Sequence, residues 1–265
     1  MAPFRPGSAS SSPLLEIVVP AYNEERRISE GLLRLCAKLA GMPFPSAVVV
    51  VDNNSTDATA EIVRARPPSV VPVTLTQCQV PGKGAAVRTG LLRTRAPLVG
   101  FCDADMATDL DTIDVAVGLL LCGERVVVGS RAHPFSEVDN RHSRVRELGA
   151  AVFRRLARVI VPGVSDTQCG FKFFDGPLVR EVATGLRTPG FTFDVELLAR
   201  CAERDAVLRE IPVRWRDMPG SRFSPARHSA GILLELGRIW LALRHEARAA
   251  ARPLREHPLD PVGSP

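Results

Sequence analysis

Four short apolar runs, each ending in polar residues and each followed by a segment of helical period, constrain this chain more than any other feature. Leu14–Pro20, Ala47–Asp52, Val70–Cys78 and Val99–Cys102 read as strands. Ile28, Leu32, Leu35 and Leu39 recur at helical spacing after the first. A second helix is expected from about Asp57, a third opens at Pro81-Gly82-Lys83-Gly84 and holds Ala85, Ala86 and Arg88, and residues 110–122 return as a fourth. Runs such as Val48-Val49-Val50-Val51 lack the alternation of a half-solvated strand. Strand alternating with helix across short loops therefore predicts an α/β chain with a mostly parallel, Rossmann-like central sheet covered on both faces. Ligands bind such sheets at the C-terminal edge of the strands.

Polar groups accumulate at that edge. Asp103-Ala104-Asp105 follows the fourth strand, and residues two apart in an extended segment return to one face. Two carboxylates so placed suit Mg²⁺ or Mn²⁺, a cation held by one or two carboxylates plus the phosphates of a substrate. Taken alone the triplet also reads as a solvated turn, with Asp109 or Asp111 capping the next helix. After the first strand comes Ala21-Tyr22-Asn23-Glu24-Glu25, where Asn23 is the expected N-cap and the two acids suit the positive end of the helix dipole. Glu24 can accept from a base or ribose, and Asp52 from the ring N–H of a base. Lys83 between two glycines resembles a phosphate contact, yet neither GxxxxGK[ST] nor a GxGxxG after the first strand is present. Phosphates are thus expected to rest on the metal and not on a glycine cradle.

The second half changes character. Val126–Arg131 reads as a fifth strand ending in a cation. Residues 136–158 are expected to form one amphipathic helix, with Arg141, Arg144, Arg146, Arg154, Arg155 and Arg158 flanking an apolar face. That flank is either a solvated surface with snorkelling arginines or a membrane-surface contact. Glu210–Trp215 reads as an edge strand because Pro212 donates to no ladder. Gly220-Ser221-Arg222 is a loop able to close over a diphosphate. The last helix should bury Ile232, Leu233, Leu236, Ile239, Trp240 and Leu243 along one stripe. A net charge of +5 without basic, aromatic-interleaved runs argues against nucleic acid. Six cysteines without CxxC spacing argue against zinc and for a reducing compartment. No run of about 18 apolar residues suggests a transmembrane helix. Residues 1–13 and 248–265 are expected to be a disordered lead and tail.

The strings Pro20-Ala21-Tyr22-Asn23-Glu24, Asp52–Asp57, Gly82-Lys83-Gly84, Asp103-Ala104-Asp105, Gly129-Ser130-Arg131, Asp166–Lys172, Phe193–Leu198 and Gly220-Ser221-Arg222 together resemble a family 2 inverting glycosyltransferase of GT-A fold. Within it the chain most resembles the dolichyl-phosphate β-glucosyltransferases and bacterial polyprenyl-phosphate relatives, from about Glu16 to Arg244. The resemblance implies one domain over 14–247, with a nucleotide-binding half at 14–123 and an acceptor-binding half at 124–247. It implies transfer of a hexose, glucose from UDP-glucose, to a polyprenyl or dolichyl phosphate. It places the nucleotide sugar on Pro20, Ala21, Tyr22, Glu24, Asp52, Asn54, Lys83, Asp103, Ala104, Asp105 and Arg222, with the metal on Asp103 and Asp105. It sets the acceptor phosphate against Arg131, Arg144, Arg146, Gln168 and Lys172. For a hydroxyl acceptor, Asp194 or Glu196 would take the proton. The related mannosyl-phosphate synthases carry a Gln where this chain has Ala107, which argues against a mannosyl group or for a looser metal site. A cytoplasmic location follows, with peripheral contact on the inner face of a membrane. Arg222→Ala is expected to slow transfer about a hundredfold, roughly 3 kcal/mol, in a steady-state assay.

Overall fold

A computed structural model describes residues 12–139, 144–217 and 225–250, with side chains over 12–139, 151–217 and 231–246. The first half alternates as β1 (Leu15–Ala21), α1 (Ile28–Ala40), β2 (Ser46–Asp52), α2 (Thr59–Arg64), β3 (Val73–Gln77), α3 (Lys83–Arg93), β4 (Leu98–Cys102) and α4 (Thr112–Leu121). The second half runs β5 (Val126–Ser130), β6 (Glu137–Asp139), α5 (Arg144–Ile160), β7 (Phe171–Asp175), α6 (Gly176–Gly185), α7 (Phe193–Ala202), β8 (Leu208–Pro212), β9 (Arg214–Arg216) and α8 (Pro225–Ala250).

Seven strands form one sheet in the order β3-β2-β1-β4-β7-β5-β8. All pairings are parallel except those of β7, which runs antiparallel to β4 and β5. Both faces are covered, which is why the strands carry no polar alternation. Val18, Val49 and Val51 belong to one apolar layer with α3, α6 and α7, whereas Ile17, Val19, Val48 and Val50 belong to the other with α1 and α4. The approach of α3 to the sheet is close enough to require Gly90, where a Cβ would collide with Val18. Glu210–Trp215, expected as one edge strand, is divided: Pro212 ends β8 at the sheet's edge, as its missing N–H demands, and Arg214–Arg216 pairs with β6 in a separate two-stranded sheet.

Three further local expectations are corrected. Residues 136–158 are not one helix. Glu137–Asp139 pairs in parallel with β9, led by a bond from Glu137 N–H to Val213 O of 3.0 Å, and the helix begins at Arg144. Asn23 is not the cap of α1, which starts at Ile28. It sits at φ +53°, its side-chain oxygen accepting from Thr56 N–H at 2.7 Å, so that it ties two edge loops together. Leu233 is 51% exposed and lies off the buried stripe of α8, which consists of Leu236, Ile239 and Leu243. Residues 1–11 and 251–265, most of the expected lead and tail, lie outside the described residues. Among the described residues no helix is long and apolar enough to cross a membrane.

Candidate active site

The acid pair stands where β4 leaves the sheet. Asp103 N–H still donates to Gly170 O (3.0 Å), which extends the β4–β7 ladder by one step. The chain then turns. Met106 N–H donates to Asp103 O (3.0 Å) with Met106 itself at φ +46°, and Ala107 N–H donates to Asp105 Oδ1 (3.2 Å). A Cβ at Gly170 would overlap the Asp103 carboxylate, so glycine there is what gives the first acid its room.

Two cations converge on this turn. Lys83, in the first turn of α3, brings Nζ to 2.7 Å from Asp103 Oδ1. Arg27 forks onto Glu24 (Nε to Oε2 and Nη2 to Oε1, both 2.8 Å) and brings Nη1 to 3.7 Å from Asp105 Oδ2. Burial and then the Asp103 charge raise the Asp105 carboxyl above the usual range, against Arg27. Burial raises Glu24 likewise, again opposed by Arg27. Burial alone would lower Lys83, but the charges of Asp103 and Asp194 outweigh it and keep the ammonium protonated.

No cluster of three or more His, Cys, Asp or Glu among the described residues forms a closed metal cage. Two carboxylates at a partly exposed edge instead fit a hard cation that keeps water and phosphate oxygens in its other positions. Lys83 beside Asp103 shows that this carboxylate is placed to receive positive charge.

Around the pair, Asp52 is buried at the end of β2 and accepts from Ser55 N–H (3.2 Å). Asn54 stands at φ +59° and donates to Gln79 O (2.9 Å), while Tyr22 is half exposed. Pro20 and Ala21 end β1 beside Val51 and Asp52, and Ala104 is buried against Gly31. Sequence reasoning passed over Asn53. Its amide donates to Cys78 O and Val80 O and accepts from Gly82 N–H (2.7 Å), fixing the approach to Lys83. Arg27 was also passed over. Its only signal was a cation three residues after Glu24.

On the second half's side, Arg131 forks onto Asp166 (2.6 and 2.9 Å) and lies over the Trp215 ring at 5.6 Å. Burial would raise Asp166, but Arg131 holds it below the usual carboxylate range. Gln168 donates to Phe191 O (3.2 Å). Three of the expected site residues are held in buried pairs. Lys172 is fully buried, pairing with Asp194 at 2.6 Å and donating to Cys169 O. Asp194, 2% exposed, is committed to that pair. Glu196 is enclosed by Arg200 and the N–H groups of Arg187 and Thr188. Buried charges persist only when paired in this way. Arg222 and the side chains of Arg144 and Arg146 lie outside the described residues.

The model of the family described as Glycosyl transferase family 2 matches residues 16–182. The chain belongs to glycosyl transferase family 2. Among curated relatives, this family 2 chain is 35% identical over 252 residues to a dolichyl-phosphate beta-glucosyltransferase of Drosophila melanogaster, covering 88% of this chain and 77% of that protein. It is 32% identical over 228 residues to the Homo sapiens protein of the same name, covering 80% and 70%. Its fold is shared with glucosyl-3-phosphoglycerate synthase from Mycobacterium tuberculosis in complex with UDP, at TM-score 0.61, 24% identity and coverage of 88% and 86%.

Gly170→Ala should push Asp103 aside and weaken Mn²⁺ binding at least about tenfold, about 1.4 kcal/mol, in calorimetric titration. Mn²⁺ affinity of the unaltered protein should also fall as pH falls through the raised Asp105 value, because protons and metal compete for the same oxygens. Without metal the sign reverses for the fold. A raised Asp105 favours the protonated state, so its increment of stability is present at low pH and lost as pH rises through the raised value. Thermal melts with and without Mn²⁺ check both.

Proposed function

We propose that this family 2 enzyme transfers glucose, with inversion, from UDP-glucose to a polyprenyl or dolichyl phosphate in a metal-dependent reaction. The observation that carries the reading is the Asp103–Asp105 turn, set against Lys83 and Arg27 at the ligand edge of the sheet. The named activity of the Drosophila and human relatives supports the donor and acceptor classes. The glucosyl-3-phosphoglycerate synthase neighbours, solved with Mn²⁺ and UDP-glucose or with Mg²⁺ and UDP, support the nucleotide and the metal.

In the reaction the bond from the anomeric carbon to the diphosphate breaks as the bond to the acceptor oxygen forms, and UDP leaves with the electron pair. Asp103 and Asp105 would hold the divalent cation, which supplies charge compensation to a departing diphosphate. Lys83 adds fixed positive charge beside Asp103, where it requires no reorganisation as charge develops. Asp52 and Glu24 serve the base and ribose, and Arg222 the diphosphate. Both carboxylates considered for taking an acceptor's proton, Asp194 and Glu196, are sealed in ion pairs. A phosphate acceptor is already anionic and needs neither. Arg131, about a third exposed beside Trp215, is the partly accessible cation suited to that phosphate. Exposed Val152 and Val159 on α5, and Leu233, Leu234 and Leu241 on α8, lie among exposed Arg155, Arg158, Arg238 and Arg244. Such a surface supports peripheral contact with the cytoplasmic face of a membrane.

The test is a panel of labelled UDP-glucose, UDP-galactose and GDP-mannose with a short polyprenyl phosphate and Mg²⁺ or Mn²⁺, followed by organic extraction. Label from UDP-glucose should enter the organic phase and drop by about a hundredfold or more with excess chelator or in Asp105→Asn. Undiminished transfer under chelator overturns the metal role. A water-soluble product from a hydroxyl acceptor overturns the lipid one.

A further inference from the structure

The chain between α6 and α7, residues 186–192, is gripped from one side and seats the Lys83 turn on the other. Glu196 of α7 provides the grip. Its carboxylate accepts from Arg187 N–H (3.1 Å to each oxygen) and from Thr188 N–H (2.8 Å). Arg200, 4% exposed, holds that carboxylate in place through Nε at 2.9 Å and is itself paired with Glu246 of α8 at 2.8 Å. On the opposite side, the carbonyls of Thr188, Pro189 and Gly190 press on the two glycines that flank Lys83. A Cβ at Gly82 would collide with Pro189 O, and one at Gly84 with Thr188 O, with Gly190 O at 2.9 Å. Ala85 N–H donates to Pro189 O at 3.2 Å. Contacts therefore run without a gap from Glu196 through the 187–190 main chain to the turn that delivers Lys83 to Asp103.

We infer that Glu196 is a positioning residue for the diphosphate end of the donor, acting by fixing the carbonyl platform under Gly82-Lys83-Gly84. The inference rests on the reading of Lys83 and Asp103 as the diphosphate site. Only a carboxylate suits the place, because every neighbour at its two oxygens is a donor: Arg187 N–H, Thr188 N–H and the Arg200 guanidinium. A glutamine of the same size sets its own NH₂ against one of them, which frees the platform without removing bulk.

The experiment compares Glu196→Gln with Glu246→Gln. The second variant also takes a carboxylate from Arg200, and one from the Arg187 side chain at 3.2 Å, but touches no main-chain N–H of the segment. Titration of UDP with Mn²⁺ by calorimetry, and KM for donor and acceptor, are the readouts. Glu196→Gln should raise the UDP–Mn²⁺ Kd and the donor KM about tenfold, with the acceptor KM within about twofold. Glu246→Gln should leave the donor values within about twofold. Gly84→Ala, which presses on the same carbonyls from the other side and on Phe193 of α7, should reproduce the donor-selective loss and, where it folds, serves as the readout if Glu196→Gln does not fold. Equal donor loss in both carboxylate variants, or unchanged UDP–Mn²⁺ binding in folded Glu196→Gln or in Gly84→Ala, overturns the inference. Failure of the unaltered protein to bind UDP with Mn²⁺ overturns instead the functional reading beneath it.

Discussion

Negative charge gathered at one sheet edge has to be balanced, and much of the surrounding structure supplies that balance. Asp103, Asp105 and Glu24 meet in partly dehydrated surroundings, where like charges a few ångströms apart repel by about 4 kcal/mol at an effective dielectric near 20. Burial together with that repulsion accounts for the raised Asp105 and Glu24 carboxyls. Lys83 and Arg27 offset it from opposite sides, one from the start of α3 and one from the entry to α1. A site held in this tension gains from any further cation, and an incoming diphosphate in turn needs that cation to approach two acids. Metal and donor are therefore expected to bind together more strongly than either alone.

A second layer of charge lies beneath the first and is spent on architecture. Lys172 and Asp194 are fully buried, with Lys172 over the face of Phe101 at 5.0 Å. Loss of one partner from such a pair costs about 3–5 kcal/mol, since the other is left charged without water. Its Coulombic reach extends upward: Asp194 helps to hold Lys83 charged, so the buried pair contributes to the field beside the Asp103 carboxylate.

The alternation of apolar runs made the parallel half of the sheet legible, together with the edge on which Asp52, Lys83 and the Asp103–Asp105 turn would fall. Those assignments needed only local periodicity and the side-chain alternation of an extended chain. The second half was harder because its specific strings owe their character to pairings invisible along the sequence. Lys172 and Asp194 are 22 residues apart and Arg131 and Asp166 are 35 apart. Partners so distant along the chain leave no local pattern, so periodicity alone does not show that these charges are paired. Leu233 was misplaced for another reason: α8 carries apolar residues on more than one face, so helical spacing alone could not say which face packs. The strand at Glu137–Asp139 is likewise settled only by its distant partner, Arg214–Arg216.

The direction of β7 explains why a stretch preceding a strand reaches the site in the second half, beside Arg131, which follows β5. In a parallel sheet the chain leaves each strand at the edge where ligands bind, so candidate site residues trail the strands, as Asp52 and Asp103 do. β7 runs the other way between β4 and β5, with Phe171 opposite Cys102 and Asp175 opposite Leu98. Its N-terminal end therefore stands at the C-terminal end of β4, and the residues that lead into it, Asp166 to Gly170, are delivered to the same edge. Gly170 then abuts the Asp103 carboxylate and Asp166 holds Arg131. A parallel strand in that position would carry its entry loop to the far side of the sheet. One reversed strand is thus what lets the second half of the chain close around an acid pair supplied by the first.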